Sequence, residues 1–246
     1  MKLRVLGETG PYPAPGGATT GFLLSTDQGN VLIDCGSGVL AELTKHIRVA
    51  DLDAVIITHH HADHISDLNV LQYAVMIHRL QGLRQEPITV YANGAPAIEF
   101  EKVGLDGHVA AVPLSKDSTL ELCGMKFTFA DTNHAIPCLA VSAEHAGKRF
   151  VFSGDSGPSP SLEQLAAGAD FFLCEASWLE QDKGPAEIGH LTAKEVGEIG
   201  KRVGVKQLCL THFYPEYDRS LLQQEAAAEF GRDVLIAKQG DVYDIV

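Results

Sequence analysis

The chain has 246 residues, 45% of them hydrophobic, and a formal charge of −13. That length suits a single large α/β domain over residues 1–246, with apolar residues enough for a substantial core. The acidity, with no clustered Lys or Arg, counts against a protein that grips a long polyanion by its phosphates.

The opening stretch MKLRVLGETG turns polar too soon for a signal peptide, and no apolar run approaches a membrane span. A cytoplasmic protein without membrane contact is expected. Cys35, Cys123, Cys138, Cys174 and Cys209 are scattered without CxxC pairs. Cys35, Cys174 and Cys209 sit in or beside apolar runs and read as buried, reduced thiols. The spacing counts against both a disulfide framework and a cysteine-based zinc knuckle.

Strand-like runs come in two blocks. The first holds residues 3–7, 21–26, 30–35, 53–58 and 87–92, with helix-like segments at 65–81 and 95–103. The second holds residues 125–130, 138–144, 148–154, 170–176, 205–211 and 241–246. Helices are expected at 159–168, which has a Ser–Pro–Ser start and a Gly stop, at 192–204 and at 219–231. Thr192 followed by Glu195 reads as a capping box. No linker or fixed repeat divides the blocks, so the expected architecture is two sheets packed face to face with helices outside. The helix at 65–81 carries Leu68, Leu71, Tyr73, Val75 and Met76, more apolar residues than one buried face needs. A homodimer interface is expected there.

The segment ITHHHADH, residues 57–64, follows a run apolar enough to be a buried strand. Loops at strand ends are where rigid scaffolds carry sites. His59 and His61 can share one side of the turn, while Asp63 and His64 face a second position. Imidazole and carboxylate suit zinc, manganese or iron. His60 alternates away from its neighbours and is expected to be exposed or to stand behind the ligands. His134, Asp155 and His212 each follow a further strand-like run, so they repeat the same placement. Taken singly, each is an ordinary loop residue; their agreement favours ligation. His46, His78 and His108 lack such partners, and His145 reads as a hairpin tip.

The HxHxDH segment, followed by separate His, Asp and His residues, resembles the metallo-β-lactamase superfamily over nearly the whole chain, NVLIDCGSG near the start included. The resemblance implies an α/β fold, a four-layer αββα sandwich, holding two divalent cations, Zn2+ or alternatively Mn2+ or Fe2+. It implies that His59, His61 and His134 bind one ion, that Asp63, His64 and His212 bind the other, and that Asp155 bridges them. β-Lactamases of this superfamily generally have cysteine where Asp155 stands, which argues against lactam hydrolysis.

The stretches FFLCEASW and GHLTA are similar to the ribonuclease Z-like phosphodiesterase branch. That resemblance implies that Glu175 orients His190, and that His190 contacts the phosphate and helps protonate the leaving oxygen. Phosphodiester cleavage needs both, since charge must be neutralised and a proton delivered to the alkoxide. Asp63 is read as proton acceptor as well as ligand, and Thr192 as the helix cap that fixes His190. Two departures count against tRNA processing. Only a hairpin's length separates His134 from Asp155, with no room for a basic arm, and the loop after the first strand lacks an Arg–Asn pair.

The sequence therefore favours a dinuclear metal phosphodiesterase acting on a small diester such as a cyclic nucleotide. A tRNA or RNA 3′ nuclease is the alternative, followed by a thioester or lactone hydrolase and a non-catalytic nucleotide binder. Trp178, Phe213 and Tyr214 could stack a base, although core packing or loop anchoring suits each of them better.

Overall fold

The computed structural model describes residues 1–184 and 189–246. Strands β1 (Lys2–Gly7), β2 (Gly21–Thr26), β3 (Gly29–Ile33), β4 (Ala54–Ile57), β5 (Ile88–Asn93) and β6 (Val109–Leu114) form one sheet. Strands β7 (Thr119–Leu122), β8 (Met125–Asp131), β9 (Leu139–His145), β10 (Lys148–Phe152), β11 (Phe171–Glu175), β12 (Gln207–Thr211) and β13 (Leu235–Ile236) form the other. Strand β14 (Val242–Asp244) returns to the first sheet beside β1. The sheet orders are β14-β1-β2-β3-β4-β5-β6 and β13-β12-β11-β10-β9-β8-β7.

Both sheets follow one plan, three antiparallel pairings and then three parallel ones. Hence β1, β3 and β4 run in one sense in the first sheet, and β8, β10, β11 and β12 do so in the second. Their carboxyl ends gather at one edge of each sheet.

Alternation along the strands sorts side chains into three apolar layers. Leu24, Val31, Ile33 and Ile56 face Phe127, Val141, Phe150 and Leu173 between the sheets. Leu23, Leu32, Val55 and Ile57 point the other way, onto α1 (Val39–Leu43) and the helix beyond α2 (Ala62–Ile65), α3 (Leu68–Leu80). After α4 (Ala97–Phe100) the chain adds β6 to the first sheet and then enters the second, whose outer face, with Val151, Phe172 and Leu208, is covered by α5 (Pro160–Ala166), α6 (Ala193–Arg202) and α7 (Arg219–Phe230). Every residue of β4 is buried because both of its faces are covered. The fold is the four-layer αββα sandwich of the α/β class.

Thr192 caps α6 in a full capping box with Glu195, as the pattern predicts, and Ser159 caps α5. The helix expected over 65–81 instead begins at Ala62 and breaks at Ser66–Asp67. There the Asp67 carboxylate accepts from Leu40 N at 2.9 Å, and its own N–H donates to Cys35 O, so tertiary bonds interrupt the helix. Strands β6, β7 and β13 escape the sequence reading, being short or, in β6, carrying Pro113. No helix among the described residues is long and apolar enough to cross a membrane. The cysteines are unpaired, with Cys35, Cys174 and Cys209 buried.

Helices α6 and α7 approach closely because Gly197 lies against the backbone of Ala226, where a Cβ would collide with the Ala226 carbonyl. Gly→Ala inside an open helix ordinarily gains about 1 kcal/mol. Here Gly197→Ala is expected to lose about 1–3 kcal/mol through overpacking, read as a lowered denaturation midpoint.

Candidate metal centre

The segment 58–64 turns from the end of β4 into α2. His61 precedes the first helical residue, and Asp63 and His64 lie in the single turn of α2. His134 follows β8, Asp155 follows β10, Glu175 ends β11 and His212 follows β12. Since those strands share a direction, all these residues reach one edge of the sandwich.

The structure brings the seven expected ligands into two adjoining groups. His59, His61, His134 and Asp155 form one, and Asp63, His64 and His212 the other. In the first group His61 Nδ1 lies 3.1 Å from His59 Nε2 and 3.0 Å from His134 Nε2. Asp155 Oδ2 is 3.6 Å from His59 Nε2 and 3.8 Å from His134 Nε2. In the second, His212 Nε2 lies 3.2 Å from Asp63 Oδ2, and His64 Nε2 lies 3.8 Å from it. Asp155 Oδ1 is 3.2 Å from His64 Nε2 and 3.4 Å from His212 Nε2. One carboxylate thus turns one oxygen to each group.

These separations are those of donors able to share a cation. Ligands at about 2.0–2.1 Å in a tetrahedron stand about 3.3–3.4 Å apart, within the spread seen here. Asp155 Oδ1 is buried without a hydrogen-bond partner, the condition a bound cation relieves.

The opposite ring nitrogens of His59, His64, His134 and His212 are anchored, which aims the free ones inward. His64 Nδ1 lies 2.7 Å from Asp34 Oδ2, and Asp34 also accepts from Thr58 N at 2.8 Å. His59 Nδ1 meets Thr58 Oγ1 at 3.1 Å, and His134 Nδ1 meets Gly189 O at 2.9 Å. His212 Nδ1 meets Ser177 Oγ at 2.9 Å. Asp34 and His212 both adopt positive φ, 58° and 56°, a left-handed conformation uncommon for such residues.

Glu175 is fully buried and binds His190 Nδ1 at 2.9 Å. Burial opposes a charge on His190, but the Glu175 carboxylate outweighs it and raises the pKa to about 9. Burial would raise the Asp155 carboxyl, yet His212, His64 and His59 hold it well below its usual range. Burial and the neighbouring His64 press His59 down.

Of the two positions expected for His60, exposed or behind the ligands, the structure shows the second. It is buried, with Nε2 on the Asn93 carbonyl at 2.7 Å, and so ties the turn to the end of β5. His46 pairs with Glu42, and neither it, His78 nor His108 joins the donor groups. His145 lies at the β9–β10 turn as expected. Asp34, Ser177 and Gly10 were not singled out by sequence reasoning. Asp34 follows β3 just as His59 follows β4, so strand-end placement was its signal; Ser177 had none.

The Beta-lactamase superfamily domain matches residues 29–213 of this sequence. The chain belongs to the metallo-β-lactamase superfamily. Among its superfamily relatives, the probable metallo-hydrolase YhfI of Bacillus subtilis (strain 168) is 31% identical over 244 residues, spanning 99% of this chain and 100% of the relative. The crystal structure of the metallo-beta-lactamase fold protein YhfI from Bacillus subtilis superimposes with a TM-score of 0.94 at 31% identity, over 98% of each chain. A ribonuclease Z from Agathobacter rectalis is 26% identical over 279 residues, covering 88% of both. Hydrolases thus surround this member of the superfamily.

A cavity of about 400 Å³ opens beside the donor groups, lined by His61, Asp63, Asp155, His190 and His212 and walled by Gly10, Pro11, Trp178 and Tyr214. Phe213, by contrast, is packed into the core under the helices. Gly10 lies directly on the His212 imidazole, and its N–H donates to Phe213 O at 3.0 Å. A Cβ at Gly10 would fall into that ring. Gly10→Ala is therefore expected to displace His212 and lower hydrolytic activity by about 100-fold or more, with the circular-dichroism spectrum of the wild type retained.

Proposed function

We propose that this hydrolase is a dinuclear metal-dependent phosphodiesterase acting on small diesters such as cyclic nucleotides. The observation that carries the reading is the His190 imidazole, held by Glu175 at 2.9 Å and grouped with Asp155 and His212 beside the cavity. His59, His61 and His134, with Asp155 Oδ2, would hold one divalent ion; Asp63, His64 and His212, with Asp155 Oδ1, would hold the other. Zn2+ suits this set best, and Mn2+ or Fe2+ share its ligand chemistry. Two such cations supply neutralising charge for the phosphate oxygens and lower the pKa of water towards neutrality.

The chain's own groups do the rest. Asp63 lines the cavity and accepts the proton of the attacking water. Glu175 occupies His190 Nδ1, which leaves Nε2 to deliver a proton to the departing alkoxide. Ligands from both sheets make residues 1–246 one catalytic unit. The unpaired cysteines suit a cytoplasmic setting.

Three features favour a small diester over RNA. Strands β9 and β10 close tightly, pairing His145 with Lys148, so no arm projects there. Tyr12, Tyr214 and Tyr217 form a row of ring contacts from the cavity wall. Its hydroxyl partners are acidic, Glu216 for Tyr12 and Asp182 for Tyr217. Ribonuclease Z relatives keep RNA cleavage as the alternative.

Chelation is expected to abolish hydrolysis of bis(p-nitrophenyl) phosphate and cyclic mononucleotides, with precursor tRNA a poor substrate throughout. His190→Ala should lower kcat about 10²–10⁴-fold on diesters with alkoxide leaving groups, far less on p-nitrophenyl esters, with metal content unchanged. Loss of the ions would make His190 a ligand, and full turnover by metal-free protein would remove the proposal.

Val70, Tyr73, Ile77 and Leu80 form an exposed stripe on α3, opposite the buried Leu68, Leu71 and Val75. This stripe supports a homodimer through α3. Tyr73→Asp is expected to convert a dimer to a monomer in light scattering; a monomeric wild type sinks the idea.

A further inference from the structure

Ser177 stands between Glu175 and His212 and has no part in the reaction described above. It is buried, and its Oγ lies 2.7 Å from Glu175 Oε2 and 2.9 Å from His212 Nδ1. The His212 carbonyl is a second acceptor at 3.2 Å. A hydroxyl has one proton to give. The shorter bond, to the carboxylate, is the stronger claim on it. The oxygen then accepts, and His212 Nδ1 must donate. His212 is thereby fixed as the tautomer whose Nε2 lone pair faces Asp63 Oδ2 at 3.2 Å.

The same carboxylate binds His190 Nδ1 through Oε1, which also accepts from Ser156 N at 2.6 Å, beside Asp155. His64 in the same donor group is oriented by Asp34 directly. His212 has no carboxylate on its Nδ1, and Ser177 fills the gap.

The geometry points to Ser177 as a positioning residue that extends Glu175 to His212, so that one carboxylate sets both the proton donor and a ligand of the second ion. This rests on the reading of Asp63, His64 and His212 as ligands. Glu175 is then a joint between the acid and the metal centre rather than a support for His190 alone. Outer-shell partners of metal-binding histidines typically govern affinity by about 10–100-fold. The loss should fall on one ion, because the first group has its own anchors at Thr58 and Gly189.

The test is metal content per chain across a chelator series for zinc-loaded wild type and the variants Ser177→Ala, Ser177→Cys, Ser177→Thr, Glu175→Gln and the Glu175→Gln/Ser177→Ala pair. Wild type is expected to carry two ions. Ser177→Ala and the isosteric Ser177→Cys should each release one ion at about tenfold lower chelator and hold the other as wild type does. Ser177→Thr, which keeps the hydroxyl, should hold both. The double variant should lose no more affinity than the larger single one, since the two residues act in series. Release of both ions together, wild-type retention by both the Ala and Cys variants, or additive losses in the double variant would overturn the role of Ser177 and leave the dinuclear reading standing. Fewer than two ions in wild type would overturn the dinuclear reading, and Ser177's part with it. If the Ala variant does not fold, the Cys and Thr pair decides.

Discussion

Asp155 is buried with its oxygens turned to two different groups of imidazoles, and a carboxylate away from water stays ionised only if something compensates it. Protonated rings can do so only in part, because each proton on one imidazole disfavours a proton on the next. The consequence is visible in opposed shifts. His64, faced by Asp155 and Asp34, is raised against the pull of burial, whereas burial and its charged neighbours lower His59 and His61. Bound divalent metal would satisfy the carboxylate and the rings together. The donor set is therefore arranged for positive charge that the side chains cannot themselves supply without conflict.

That arrangement depends on the plan of the sandwich. Parallel neighbours place carboxyl ends side by side, so a polar residue one to three positions past β3, β4, β8, β10 or β12 arrives at the same edge. Asp34 and Thr58 meet in this way across adjacent strands, and each then holds a ring nitrogen. The backbone pays locally, with Asp34 and His212 held in left-handed conformations and Gly10 lying on the imidazole. Packing between Phe127, Phe150 and Leu173 on one sheet and Val31, Ile33 and Ile56 on the other fixes the edges against each other.

Legibility in the sequence followed the strength of local pattern. The long apolar runs, the capping box at Thr192 and the HxHxDH turn are short-range signals, and they located the strands, α6 and the first half of the donor set. His134, Asp155 and His212 became readable only through a rule repeated at several strand ends. The partners that hold these rings obey no such rule. Ser177 is one serine among many until β11 and β12 lie side by side, and Gly10 matters only because its loop crosses the His212 ring. For His60, alternation along the turn says only that the side chain leaves the backbone away from the ligands. It does not say that the end of β5 is waiting with a carbonyl. Strands β6 and β7 form through pairing with β5 and β8, which their own few residues could not announce.

Net charge and site charge act over different distances. At physiological ionic strength charges are screened beyond about 8 Å, so a small diester entering the cavity is governed by His190 and the donor groups, while a long polyanion also meets the outer surface. That surface carries only part of the −13, because Glu8, Asp34, Glu42, Asp63, Asp155 and Glu175 are buried. Near the cavity it presents Glu216 and Asp182 through the tyrosine row. Cations held at one buried point beneath an acidic exterior would select by size as well as by chemistry, because only a molecule that fits within the cavity would exchange repulsion for attraction. The same acidity that argues against a nucleic-acid surface is therefore compatible with a phosphate substrate.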